Sequence, residues 1–365
     1  MIRRYLPKNI QELVHWYERY VSPVSLVAGF ISDNLILLKR VDLWTTDALF
    51  LFYLTLSAAG IVLINALEAG KIRQKFLIDA APAIPIVVQF AFGGLFSGFL
   101  SLYSRSAGYA ASWIFVALVA ALLLGNERFS RFYVRVPVQV SILFTTLFSF
   151  LIFFLPVVFH QIGPWMFAAS GLTALVLIAL FLALLIAVVP QVKKQLTTSA
   201  RVIAVIYVVF NVLYFTNAIP PLPLSLKDAG VYHSVVHDTA DGTYVVAGEQ
   251  EPWYDSIYPF DVTFHEQPGQ SVFVYTSIFA PSGLSTQVLD EWQYDESGKW
   301  VTVATIEYPI VGGRDGGYEG YSESLDPAPG KWRVNVITQY GALIGRVSFT
   351  VVDATSAAPY ITATK

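Results

Sequence analysis

His233 and His237 stand four residues apart on a strand-like run, a spacing that turns both rings to one face. With His265 and the neighbouring Asp238 they supply the nitrogen and oxygen donors of a zinc or copper site. Nothing in the spacing requires a metal, so no metal and no other cofactor is assigned. A second group is made of polar side chains in apolar surroundings: Asp33 with Asn34, Asp79 and Gln89. An ionisable group near the centre of a bilayer costs a few kcal/mol, which makes each a candidate for function. Asp33 and Arg105 form a candidate charge pair, and His160 is a candidate partner for it. Asn34, Tyr103 and Asn211 complete a polar set able to line a pocket for a lipid headgroup or a small solute. The ordinary alternative is a row of interfacial polar residues at helix ends, with Asp33 locking helix packing. Asp79, four residues after Lys75, reads as a residue of the membrane edge.

Trp253, Tyr254 and Tyr258 lie in a Pro-flanked loop beside Asp255 and offer rings that could stack on sugars. Core filling or contact with the membrane surface is the alternative. Asn126-Glu127-Arg128 could hold a headgroup or a cytosolic partner, but a helix end with a solvated charge pair explains it as well. The sequence has no Ser-His-Asp order, no His-Glu-x-x-His and no phosphate-cradling glycine loop. Cysteine is absent, which excludes disulfides, thiolate metal sites and cysteine nucleophiles. An enzyme is therefore not the favoured reading.

Two unlike halves must position these residues. The chain is 55% hydrophobic and 13% charged, against about 25% charged in soluble domains. Seven windows, near 21–38, 45–67, 76–102, 107–124, 136–159, 165–189 and 200–217, approach or exceed the roughly 20 apolar residues that cross a bilayer. The first is the weakest because Asp33 and Asn34 interrupt it, and a re-entrant segment there is the alternative. Pro82 and Pro85 predict a kink near the start of the third. Gly94 and Gly98 in that window fit a small-xxx-small contact between helices. Residues 1–20 carry mixed charge without a cleavable signal, and Asn9–Tyr20 predicts a short helix lying on the membrane.

Lysine and arginine alternate from loop to loop. With the N-terminus inside, the inner segments hold thirteen of them and the outer loops three, Lys39, Arg40 and Arg105. Seven crossings then deliver the C-terminal part to the outer side. That part, residues 218–365, has 7 basic and 18 acidic residues, whereas residues 1–217 have 16 and 8. A domain near −11 repels nucleic acid and anionic headgroups. Cations, basic peptides and neutral glycans remain compatible with it.

The junction Ile219-Pro220-Pro221-Leu222-Pro223-Leu224 predicts a helix stop or a stiff polyproline-like spacer across 218–228. Beyond it the apolar period changes from 3.6 to 2. Nine short strands between Val231 and Val352, separated by turns such as Pro268-Gly269 and Pro329-Gly330, predict an all-β antiparallel, immunoglobulin-like sandwich over 229–355, followed by a tail at 356–365. Trp292, Trp300, Trp332 and Phe349 are its expected core. The fold class is therefore a membrane all-α bundle of seven transmembrane helices joined to this sandwich.

The run Pro329-Gly330-Lys331-Trp332-Arg333-Val334, with Gly341 to Gly345 and Phe349-Thr350-Val351, resembles the C-terminal Domain of Unknown Function 2914 of bacterial inner-membrane proteins. Upstream, Tyr103-Ser104-Arg105-Ser106, Asn126-Glu127-Arg128 and the junction followed by Gly230-Val231-Tyr232-His233 are similar too. The resemblance implies a bacterial inner-membrane protein but no activity, and the alternation of lysine and arginine then puts the N-terminus in the cytoplasm and the C-terminal domain in the periplasm. Three functions stay open. The first and favoured one is an anchored sandwich, surrounded by membrane lipids, that binds a periplasmic protein, peptide or glycan. The second is a transporter or lipid-handling protein using the pocket at Asp33, Arg105 and His160. The third is a membrane enzyme in which Asp33 and His160 converge.

Overall fold

The computed structural model describes residues 43–106, 109–128, 135–249, 262–267, 269–314, 316–354 and 359–365. The first apolar window, the interfacial helix, Asp33, Asn34, Trp253, Tyr254 and Tyr258 lie outside the described residues. The chain forms two compact units, a helical one of Met1–Arg105 with Trp113–Ile219 and one of Ser106–Ser112 with Pro220–Lys365, which holds the strands.

The helical unit runs α1 (Trp44–Glu68), α2 (Lys75–Ala80), α3 (Ile84–Ser106), α4 (Tyr109–Arg128), α5 (Val136–Phe159), α6 (Pro164–Val188) and α7 (Leu196–Phe215). Among the described residues, five stretches are long and apolar enough to cross a membrane: Trp44–Glu68, Lys75–Tyr103, Val136–Phe159, Pro164–Val188 and Pro190–Phe215. They fall on the second, third, fifth, sixth and seventh predicted windows, and α4 occupies the place of the fourth. A 3-10 turn, Ala81–Ala83, separates α2 from α3 at Pro82. Proline supplies no N–H and clashes with the preceding turn, so the predicted kink is found where the sequence puts it.

Two glycines bring α1 and α3 close. A Cβ on Gly60 would lie 2.3 Å from Val88 Cγ2, and one on Gly94 would lie 2.6 Å from the Tyr53 ring. Aromatic rings fill the other crossings: Phe148 of α5 stacks on Tyr207 and Phe210 of α7, and Phe50 packs with Phe99 and Phe153. Asn65 of α1 donates through Nδ2 to Gln139 Oε1 of α5 at 2.7 Å, and both side chains are buried. An amide pair inside an apolar bundle holds two helices in one register. Replacing Asn65 with leucine is expected to lower the stability of the bundle by roughly 1 kcal/mol. Unfolding in mixed micelles measures it, and a variant as stable as the parent would deny the pair any role.

Among the described residues the β unit has eleven strands: β1 (Ser225–Tyr232), β2 (Ser234–Asp238), β3 (Thr243–Glu249), β4 (Val262–Glu266), β5 (Ser271–Phe279), β6 (Ser285–Glu296), β7 (Lys299–Val311), β8 (Tyr318–Leu325), β9 (Gly330–Thr338), β10 (Leu343–Asp353) and β11 (Tyr360–Thr364). They form a five-stranded sheet in the order β4-β10-β9-β6-β7 and two three-stranded sheets, β1-β5-β8 and β11-β3-β2. Val231, Val272 and Val274 from one sheet join Phe264, Trp292, Trp332, Val334, Phe349 and Val351 from another in a single apolar cluster. Trp292 meets Trp332 and Phe349 edge to face, with ring centroids 6.4 and 6.0 Å apart.

Several expectations are corrected. The five-stranded sheet is not wholly antiparallel, because β4 pairs with β10 in parallel. Strands so far apart in sequence are not joined by a hairpin, so nothing forces them to run in opposite directions. Trp300 leaves the core and is 38% exposed. The run from Val231 to His237 breaks at His233 into β1 and β2, which resets its alternation. The proline junction folds into a tight turn, with Leu222 N–H donating to Pro220 O and Leu224 N–H to Pro221 O. A polyproline spacer needs a solvated backbone, whereas Leu222 and Leu224 are buried. Residues 360–364, expected as a tail, form β11 against β3, and Lys365 Nζ pairs with Asp228 Oδ2 at 2.6 Å.

Candidate functional site

Two of the three predicted histidines meet, and the group that joins them is a carboxylate that nothing in its local sequence singles out. Glu249, at the end of β3, accepts from His233 Nε2 at 3.0 Å and from the backbone N–H of His265 at 2.6 Å. Its second oxygen lies 2.7 Å from His265 Nδ1. The His233 ring lies between Phe264 and Tyr360, with centroids 4.1 and 4.3 Å away, and its side chain is 6% exposed. Burial pushes its pKa down, against the attraction of Glu249. Burial raises the Glu249 carboxyl, but the bonds from His265 and His233 outweigh that and hold it below its usual value. With Nε2 donating to Glu249, Nδ1 of His233 is a buried nitrogen without a partner among the described residues.

His237 is not part of this cluster; it stacks on Tyr244 at 4.6 Å, and Asp238 accepts from the Ala240 N–H. Among the described residues no three His, Cys, Asp or Glu side chains are placed to hold a metal ion. The arrangement is a carboxylate clasp that ties the end of β1 and strand β4 to β3. Opposed imidazoles reaching one carboxylate satisfy each other instead of converging on a cation.

Of the residues proposed for the membrane pocket, the structure describes the side chains of Tyr103, His160 and Asn211. Tyr103 is buried, donates to Ser149 O at 3.2 Å and packs edge to face on Phe115. His160 caps α5 in a left-handed conformation and is exposed. Asn211 donates to Tyr207 O, one turn back in its own helix. Arg105 lies in α3 and Asn126-Glu127-Arg128 ends α4, but their side chains, like Asp33 and Asn34, lie outside what the structure describes.

The best-ordered polar surface is one the sequence did not flag. On the face of the five-stranded sheet opposite Trp292 and Trp332, the register sets Thr302, Gln293 and Arg333 in one row across β7, β6 and β9. Glu291, Asn335 and Arg346 form the next row across β6, β9 and β10. Hydrogen bonds run along both: Gln293 Nε2 to Thr302 Oγ1 at 3.1 Å, Arg333 Nε to Gln293 Oε1 at 2.7 Å, Asn335 Nδ2 to Glu291 Oε2 at 3.1 Å and Arg346 Nε to Asn335 Oδ1 at 2.6 Å. Thr302 Oγ1 donates to the remaining Glu291 oxygen at 3.0 Å and links the rows. The Arg333 guanidinium lies 4.2 Å over the Trp300 ring, a cation–π contact. Burial pushes both arginine pKa values down, and for Arg346 the charge of Arg333 adds to it. The sequence carried a faint sign of this face in the alternation Trp332-Arg333-Val334-Asn335-Val336, whose odd members point away from the core.

Between the sheets lies a third polar group, fully enclosed. Asp290 accepts from Ser322 Oγ at 2.8 Å and from Tyr308 OH at 3.2 Å, and Trp292 Nε1 donates to Ser322 Oγ at 3.1 Å. Tyr308 OH also meets Thr276 Oγ1 at 3.1 Å. Burial pushes the Asp290 carboxyl up to about 6 against the two bonds that favour its charge.

The family model described as Protein of unknown function (DUF2914) matches residues 285–351. That span runs from β6 to β10 and contains both rows of the outer face and Asp290. No curated protein matches the chain at a significant level. Among solved structures, the chain is similar to Pseudomonas fluorescens alkylpurine DNA glycosylase AlkC bound to DNA containing an abasic site analog, at 10% identity, over 84% of this chain and 98% of that one, with a TM-score of 0.21. At that score the similarity has no bearing on fold or function.

Proposed function

We propose that the chain is a seven-span bacterial inner-membrane protein that holds an acidic, immunoglobulin-like β-sandwich, residues 229–355, in the periplasm, where the sandwich binds an envelope partner. The observation that carries this reading is the outer face of the five-stranded sheet, where Arg333 and Arg346 are held in place by side-chain hydrogen bonds and Trp300 lies against the Arg333 guanidinium. Held aromatic and guanidinium groups are what interfaces use as anchors, because little side-chain entropy is left to lose on contact. Placement outside rests on the loop-by-loop alternation of lysine and arginine.

The lack of cysteine permits a direct test. Single variants Ser297→Cys, in the β6–β7 turn, and Lys71→Cys, after α1, are treated in sealed cells with a membrane-impermeant maleimide. Labelling at 297 and protection at 71 are expected. Protection at 297 overturns the outward placement.

A further inference from the structure

We infer that the outer face of the five-stranded sheet is a binding site for the carboxylate of an acidic glycan. This deepens the reading above and rests on it. Each of Arg333 and Arg346 spends its Nε on an amide oxygen, Gln293 Oε1 and Asn335 Oδ1 respectively, and those amides are buried against the sheet. The terminal nitrogens of both guanidinium groups make no hydrogen bond and no ion pair with any described residue. Glu291, the nearest carboxylate, is already engaged by Thr302 and Asn335. Two cations are thus fixed on neighbouring strands, close enough for Arg333 to depress the pKa of Arg346. Like charges held side by side repel, and an anion seated between them removes that cost. A planar carboxylate matches the guanidinium fork in shape and accepts two parallel N–H bonds from it.

Charge selects among anions. The unit carries 18 acidic and 7 basic residues, and Glu291 and Asp295 both act on Arg333. That field repels a phosphate dianion, with two charges on one group, more strongly than the single carboxylate that one sugar ring presents. Trp300 selects among carriers. Its indole remains 38% exposed beside the Arg333 fork and offers an apolar face to the C–H side of a sugar ring. An extended acidic peptide would instead use the open margin of β7. That strand carries an extra residue, Val303, where its register against β6 shifts, and such a bulge bends the margin away from a straight ladder.

Calorimetry on the full chain in nanodiscs tests the assignment, using trigalacturonate, the neutral galactose trisaccharide, a hexaglutamate peptide and inorganic phosphate as probes. Trigalacturonate is expected to bind and the neutral trisaccharide not. Arg333→Met and Arg346→Met should each weaken trigalacturonate about tenfold or more, the worth of a charge-assisted hydrogen bond. Arg333→Lys, which keeps the charge and loses the fork, should weaken it as well. Thermal unfolding of each variant identifies a fold defect, and the lysine variant decides the matter where a methionine variant unfolds early. No heat from trigalacturonate, equal affinity in folded arginine variants, or tighter binding of hexaglutamate or phosphate overturns the assignment. Maleimide labelling at position 297 is independent of all these outcomes, so failure here leaves the outward placement standing.

Discussion

Replacing Asp290 with alanine is expected to lower the stability of the β unit by about 3 kcal/mol, with Asp290→Asn falling between the variant and the parent. The carboxylate is fully enclosed and is the shared acceptor for Ser322 of β8 and Tyr308 of β7, so its loss strands the Ser322 hydroxyl, leaves Tyr308 with Thr276 alone and opens a cavity between sheets. Asparagine keeps the volume but has a single acceptor oxygen for those two donors. Trp292 donates to Ser322, so its fluorescence during denaturant unfolding reports the loss directly. An alanine variant that unfolds with the parent would show that the network contributes nothing. The pH dependence has a definite sign. Since the folded carboxyl is pushed up to about 6 from an ordinary 3.8, the folded state binds the extra proton, and stability should rise as pH falls from 7 toward 4.

Glu266→Gln is expected to act in the opposite direction and stabilise the unit, by about 2 kcal/mol at pH 8. The Glu266 side chain sits at the end of β4 in a residue only 4% exposed, and among the described residues its Oε1 is buried without a hydrogen-bond partner. Burial, then the charges of Asp326 and Asp353, push its pKa up to about 7. Above that value the native state holds an unpaired buried charge that the unfolded chain would leave in water. Below it the proton is taken up and the penalty fades, so the advantage of glutamine should be small by pH 5. Melting temperatures of parent and variant across that range provide the comparison. A constant difference, or a variant less stable at pH 8, contradicts the account.

The parts of the fold that depend on composition were legible in the sequence. Apolar length located the stretches long enough to cross a membrane, five among the described residues, because the hydrocarbon layer sets a threshold that soluble helices do not meet. Period-2 alternation located most strands. What escaped was pairing. Parallel contact between β4 and β10 leaves no local mark, and the clasp at Glu249 joins residues separated by 16 positions in both directions. Trp300 shows the physical limit most clearly. Without the extra residue at Val303 it would lie opposite Glu296 and share the core face of Trp292. The shifted register puts it opposite Asp295 instead and turns it outward beside Arg333. A single inserted residue therefore decides whether the indole fills the core or becomes part of a surface site.

The zipping of β11 onto β3 bears on how the molecule can be handled. The backbone of Lys365 exchanges both of its hydrogen bonds with Tyr244 while its ammonium grips Asp228. A reporter or affinity handle joined directly behind Lys365 would inherit a fixed point of departure from the smallest sheet. Trimming 360–365 would bare the flank of β3 from Val245 to Glu249, so a shortened recombinant version carries a sticky margin that the longer one keeps covered.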